Sequence, residues 1–150
     1  MKALVTTDGS EFSLKALGML GTLLSTEKTE VELVSVYASP RALTYGADPF
    51  NVSFERMSEQ LRDKAESDVD EGRRVLEEQG FKVKTLTVMG DAATAILTLA
   101  EKGRYDLIVV GSHGRTGLQR FLLGSVSERV VRYAPCSTLV VKLPRESSRG

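Results

Sequence analysis

Between residues 107 and 128 an apolar strand, a glycine-rich loop and a helix start follow one another, an order suited to holding an anion. Leu107-Ile-Val-Val110 reads as the strand, Gly111-Ser-His-Gly114-Arg-Thr-Gly117 as the loop, and Gly124-Ser125 closes it where an amphipathic helix begins. The spacing is G-x2-G-x9-G-S. Glycine lets the backbone approach a ligand and turn its N–H groups on an anion. A helix N-terminus adds unpaired donors and a partial positive charge. Gly111, Gly114, Gly124 and Ser125 are therefore expected to cradle a phosphate, with Arg115 placed for a charge-assisted contact. Plainer roles exist beside these. The two leading glycines can simply make a tight turn, and Ser125-x-x-Glu128 is a capping box that stabilises a helix without a ligand.

Asp8 follows the first strand, where it can brace the next turn, accept from a ribose hydroxyl, or help hold a cation carried by phosphates. His113 is the only histidine. No zinc site with paired His or Cys is therefore available, and no G-x-S-x-G elbow frames a serine nucleophile. A backbone role in the loop suits His113 better than acid–base work. Arg120 reads as surface charge. Leu118, Phe121, Leu122 and Leu123 make the rest of the loop apolar enough to pack down on the protein.

These residues need strands and helices to position them. Ala3-Leu-Val-Thr6 is a strand stopped by Thr7-Asp8-Gly9-Ser10. Ser10 is placed to cap a single helix with Leu14, Leu17, Leu20, Leu23 and Leu24 at helical spacing. Val31 to Tyr37 is a second strand, and residues 38 to 52, with Pro40, Gly46 and Pro49, form a long connection. A long helix follows, its inner stripe Phe54, Met57, Leu61, Ala65, Val69, Gly72 and Leu76 and its mixed charge solvated. Gly80 ends it. Phe81 to Val88 alternates as a third strand, and Asp91 caps a helix with Ala92, Ile96, Leu99 and Ala100 inward. Ser125 to Tyr133 is the last helix and Ser137 to Lys142 the fifth strand. Strands alternating with helices call for a parallel sheet with helices on both faces. Ligands of such sheets sit at the carboxyl ends of the strands. Thr7-Asp8-Gly9, the connection after Tyr37, Gly90-Asp91 and the Gly111 loop all fall there.

At 150 residues and 41% apolar, the chain is one globular domain. We expect the domain to span 1–143, with a polar tail over 144–150. Lysine plus arginine balances aspartate plus glutamate at 20 each, and no basic cluster is interleaved with aromatics. Nucleic-acid and membrane surfaces are thus not expected partners. The single Cys136 forms no internal disulfide and suits a reducing compartment, so a cytoplasmic location is expected. Its place before an apolar strand marks it as a small core residue.

Ile108 to Ser127, with its complete glycine pattern, resembles the ATP-binding branch of the universal stress proteins. Ala3-Leu-Val-Thr-Thr-Asp-Gly-Ser10 resembles that family's opening strand and turn, and Ala134 to Lys142 its last strand. The resemblance covers residues 1 to 143 and implies an open five-stranded, Rossmann-like sheet of order 3-2-1-4-5. It implies ATP at the strand ends, with Mg2+ carried by the phosphates, and a homodimer; the apolar edge Thr138 to Val141 is placed to pair with a second copy. It puts the triphosphate on Gly111, Ser112, His113, Gly114, Arg115 and Gly124-Ser125-Val126. Adenine and ribose fall near Thr6, Asp8 and Val36, with Gly90 close by. Thr6 stands where some members have proline, a change without consequence if the contact is through the backbone.

The function implied is a regulatory stress-response module whose nucleotide state alters an unidentified protein partner. The alternative is a slow ATPase or another nucleotide-processing enzyme on the same fold. No G-x4-G-K-[ST] loop and no acidic cluster for two metals supports efficient hydrolysis. A phosphoacceptor domain would need paired acids after the first strand, where Asp8 stands alone.

Overall fold

The computed structural model describes residues 1–43, 53–112 and 123–143. His113, Gly114, Arg115, Leu118, Arg120, Phe121, Leu122 and the 144–150 tail lie outside those residues. In chain order the elements are β1 (Lys2–Thr6), α1 (Glu11–Gly18), α2 (Leu20–Leu23), β2 (Glu30–Tyr37), α3 (Pro40–Leu43), α4 (Phe54–Glu77), β3 (Lys82–Met89), α5 (Ala92–Gly103), β4 (Leu107–Gly111), α6 (Ser125–Tyr133) and β5 (Ser137–Val141). The strands form one five-stranded sheet of order β3-β2-β1-β4-β5. Every pairing is parallel, with Val5 in register with Leu33 on one side and Val109 on the other. The expected order therefore holds.

Both faces of the sheet are covered, which is why its central strands are apolar almost throughout. Successive side chains alternate between the faces. Ala3, Val5, Leu33 and Val109 pack with Leu17, Leu20, Val69 and Leu76 of α1, α2 and α4. Leu4, Val34, Ile108 and Val110 pack with Ile96, Ala100 and Val130 of α5 and α6. Gly72 lets α4 come close: a Cβ there would lie 2.9 Å from both Leu17 Cδ1 and Leu33 Cδ2. Cys136 is half-buried against the second cluster, and burial, with Asp106 nearby, pushes its thiol pKa up. The side chain packs against the core rather than within it.

Three local expectations are corrected. The helix after Ser10 is not continuous but breaks at Met19 into α1 and α2. The cause is Gln79 at the end of α4: its Oε1 accepts from Gly21 N at 2.7 Å while its Nε2 donates to Leu17 O at 3.0 Å. Those two backbone groups would bond each other in an unbroken helix, so the amide is inserted into the ladder. Leu23 is consequently exposed. Second, the charged face of α4 is not wholly solvated, because Asp68 is buried and paired with Lys64. Third, a helical turn, α3, interrupts the expected connection at 38–52, of which residues 44–52 lie outside the described ones.

Candidate functional site

The strand order reverses between β1 and β4, and there the carboxyl ends of β1, β2 and β4 open a cleft of about 230 Å³. Thr6, Thr7 and Asp8 form its β1 side, and Val34 and Val36 come from β2. Ala92 and Ile96 of α5 give a second apolar wall, and Gly111 with Gly124, Ser125, Val126 and Ser127 closes the β4 side. The cleft thus has an apolar slot on one flank and a helix N-terminus on the other.

Among the described residues no side chain caps that N-terminus: Gly124 is the N-cap of α6, extended at φ −64° and ψ 157°. The expected Ser125-Glu128 capping box is therefore not formed. Gly124 N donates to Ser112 O at 2.9 Å, which fixes Gly124 as the residue before the helix and leaves Ser125 as the first one inside it. A glycine has no side-chain oxygen to offer the first-turn N–H groups that follow, so they keep their capacity for an anion. The neck of the loop is tied further by Ser112 N to Val141 O at 3.0 Å and by the Ser127 hydroxyl to Gly111 O at 2.6 Å. Ser127, buried and lining the cleft, was not singled out from the sequence; its place two residues after the G-S pair is the only signal it gives.

On the β1 side the expected Ser10 cap forms, its hydroxyl accepting from Ser13 N at 3.1 Å. Asp8 Oδ1 accepts from Ser10 N at 3.0 Å and from Ser10 Oγ at 2.6 Å. Asp8 therefore braces the turn while also lining the cleft. Gly9, at φ +70°, has the Asp68 carboxylate packed where a Cβ would go.

On the far side Asp91 caps α5, its Oδ2 accepting from Thr94 N at 3.0 Å and from Thr94 Oγ1 at 2.6 Å. These bonds, with Arg129 beside them, hold its carboxyl below the usual pKa. Arg129 of α6 reaches Asp91 Oδ2 at 2.8 Å and Thr94 Oγ1 at 3.1 Å, so a charged tie links the helices forming the two flanks.

Of the residues expected at a nucleotide site, the structure gathers Thr6, Asp8, Val36, Gly111, Gly124, Ser125 and Val126 around the cleft. Ser112 lies at the loop's neck behind them. Gly90 is not among the lining residues; its N–H is bonded to Tyr37 O at 2.9 Å, at the end of the outer pair of strands. His113, Gly114 and Arg115 are outside the described residues. Among those described, no group of three or more His, Cys, Asp or Glu is set to hold a metal ion. No described helix is long and apolar enough to cross a membrane.

Residues 1–142 match the profile of the universal stress protein family. Universal stress protein MJ0531 of Methanocaldococcus jannaschii is 37% identical over 145 residues, covering 97% of this chain and 84% of the relative. The solved structure of MJ0577 from the same organism is 32% identical and superposes with a TM-score of 0.78, covering 95% of this chain and 96% of that one. A family protein from Arabidopsis thaliana, solved with AMP bound, superposes with a TM-score of 0.69 over 97% of this chain and 93% of its own. At 20% identity that likeness is one of fold.

Proposed function

The chain belongs to the universal stress protein family, and from that premise we propose that it binds an adenine nucleotide in the cleft between β1 and β4. The ligand we assign is ATP with Mg2+ carried on its phosphates, and the role a cytoplasmic, nucleotide-dependent binding module. The observation that carries this reading is the bare first turn of α6 opening into the cleft. Unpaired N–H groups and the helix dipole at one end of a cavity favour phosphate. The other flank, Val34, Val36, Ala92 and Ile96, suits a purine ring.

In this reading Gly111, Ser112 and Gly124-Ser125-Val126 serve the phosphates together with His113, Gly114 and Arg115. Thr6 and Asp8 serve the ribose, Asp8 also standing where it can help hold Mg2+. AMP in the Arabidopsis relative is a ligand of the same class.

The two sheet edges differ in a way that supports a homodimer through Thr138 to Val141. Lys82, Lys84 and Thr85 of β3 are exposed, and edge lysines discourage strand addition. In β5, Leu139 and Val140 are half-buried on an edge that none of the described strands covers.

Thermal unfolding with and without nucleotide tests the assignment. ATP with Mg2+ and AMP should stabilise the protein, by about 2.7 kcal/mol at a hundred times Kd, and GTP should do so less. Equal or absent stabilisation by all three contradicts it.

A further inference from the structure

Thr7 and Ser13 are both buried, at 6% and 8% exposure, and both line the cleft. Their hydroxyl oxygens lie 2.9 Å apart. Thr7 Oγ1 also accepts from Gly9 N at 3.2 Å. Two hydroxyls carry two protons, and the bond between them uses one. Whichever oxygen donates, the second proton has no acceptor among the described residues. Because the pair lines the cleft, that second proton is available to an acceptor on a ligand bound there.

We propose that the Thr7–Ser13 pair donates a hydrogen bond to a phosphate oxygen of the bound nucleotide, a contact that rests on the nucleotide reading of this cleft. The pair stands on the β1 side of the point where strand order reverses, and the bare first turn of α6 stands on the β4 side. A phosphate in the crevice meets donors from both. The Ser13 N–H is already engaged by the Ser10 hydroxyl, so what this pair offers the cleft is a hydroxyl proton. The β1 side therefore contributes a hydroxyl donor where the β4 side contributes backbone N–H groups. Asp8, an acceptor, faces the same cleft and is unsuited to phosphate itself, which sets the ribose to its side and the phosphate to the hydroxyl pair.

The test compares AMP with adenosine by calorimetry on the full chain. Either single change, Thr7→Val or Ser13→Ala, leaves one hydroxyl proton and should cost less than the double change. In the double variant AMP should bind about tenfold or more weakly, the loss of a hydrogen bond to a charged group, while adenosine affinity stays unchanged. Equal weakening of both ligands, or of neither, overturns the contact. Wild-type protein that binds neither ligand overturns the underlying site assignment instead, so the two failures are distinguishable. Should Thr7→Val disturb the Gly9 turn, wild-type protein gives a second readout. A Thr7 or Ser13 hydroxyl proton should slow in exchange and couple to phosphorus on adding AMP. A proton that stays in fast exchange rules the contact out.

Discussion

The Ser127 hydroxyl donates to Gly111 O at 2.6 Å, so the first turn of α6 is fastened to the last residue of β4. One bond thereby sets the distance between the strand that delivers the glycine loop and the helix that receives it. Replacing Ser127 with alanine leaves the half-buried Gly111 carbonyl without that donor and should cost about 1 kcal/mol in denaturant unfolding. Nucleotide affinity should fall with it, since the helix start is no longer held against the strand. Unchanged stability and affinity would show that Gly124 N to Ser112 O suffices to hold the neck.

Gly9 and Asp68 make the second testable relationship. Gly9 sits at φ +70° with the Asp68 carboxylate in the space of its missing Cβ. Gly9→Ala should destabilise by more than about 1 kcal/mol, from left-handed backbone strain plus the overlap. Adding Asp68→Ala removes the overlap, so the double variant should be less destabilised than the two single effects summed. Simple additivity in urea unfolding would contradict that contact.

Asp91 gives a pH dependence with a definite sign. Its carboxyl is held below the usual carboxylate range, chiefly by the Thr94 hydroxyl and then the Thr94 N–H, with Arg129 contributing less. A lowered native pKa stabilises at pH above the unfolded value and is lost as pH falls through the native one. Asp91→Ala should therefore cost about 1 kcal/mol at neutral pH, the worth of an N-cap. That deficit should shrink as the solution is acidified through the lowered native pKa. Because the pair with Arg129 is exposed, added salt should change the deficit little. A deficit that grows on acidification would contradict the assignment.

The fold was legible because its signals are local and repeated. Ser10 and Asp91 cap the helices they precede in the sequence, and the apolar runs at 3–6 and 107–110 are the buried central strands. Most of the cleft was legible for the same reason: its walls are strand ends and helix starts. What escaped depends on contacts distant in sequence. Gln79 breaks a helix 58 residues away by taking the hydrogen bonds of Leu17 and Gly21, and no periodicity announces that. Ser125 looked like a cap because its spacing to Glu128 is right, yet Ser112 claims the Gly124 N–H and makes Gly124, one residue earlier, the cap of a helix that starts at Ser125 as expected. Thr7, Ser13 and Ser127 are ordinary residue types in sequence and become site residues only through burial beside the cleft. Asp68 shows the opposite error, a charge on a polar helix that the fold turns inward.

Calorimetric titration of nucleotide-stripped protein with ATP and Mg2+, beside an Ala92→Trp variant whose indole fills the cleft, tests the central claim most directly. The account predicts saturable binding to the wild-type chain, one nucleotide per chain, and none to a variant that remains folded by circular dichroism. Absence of heat with the wild-type protein, or binding undiminished in the filled variant, would contradict a nucleotide site between β1 and β4.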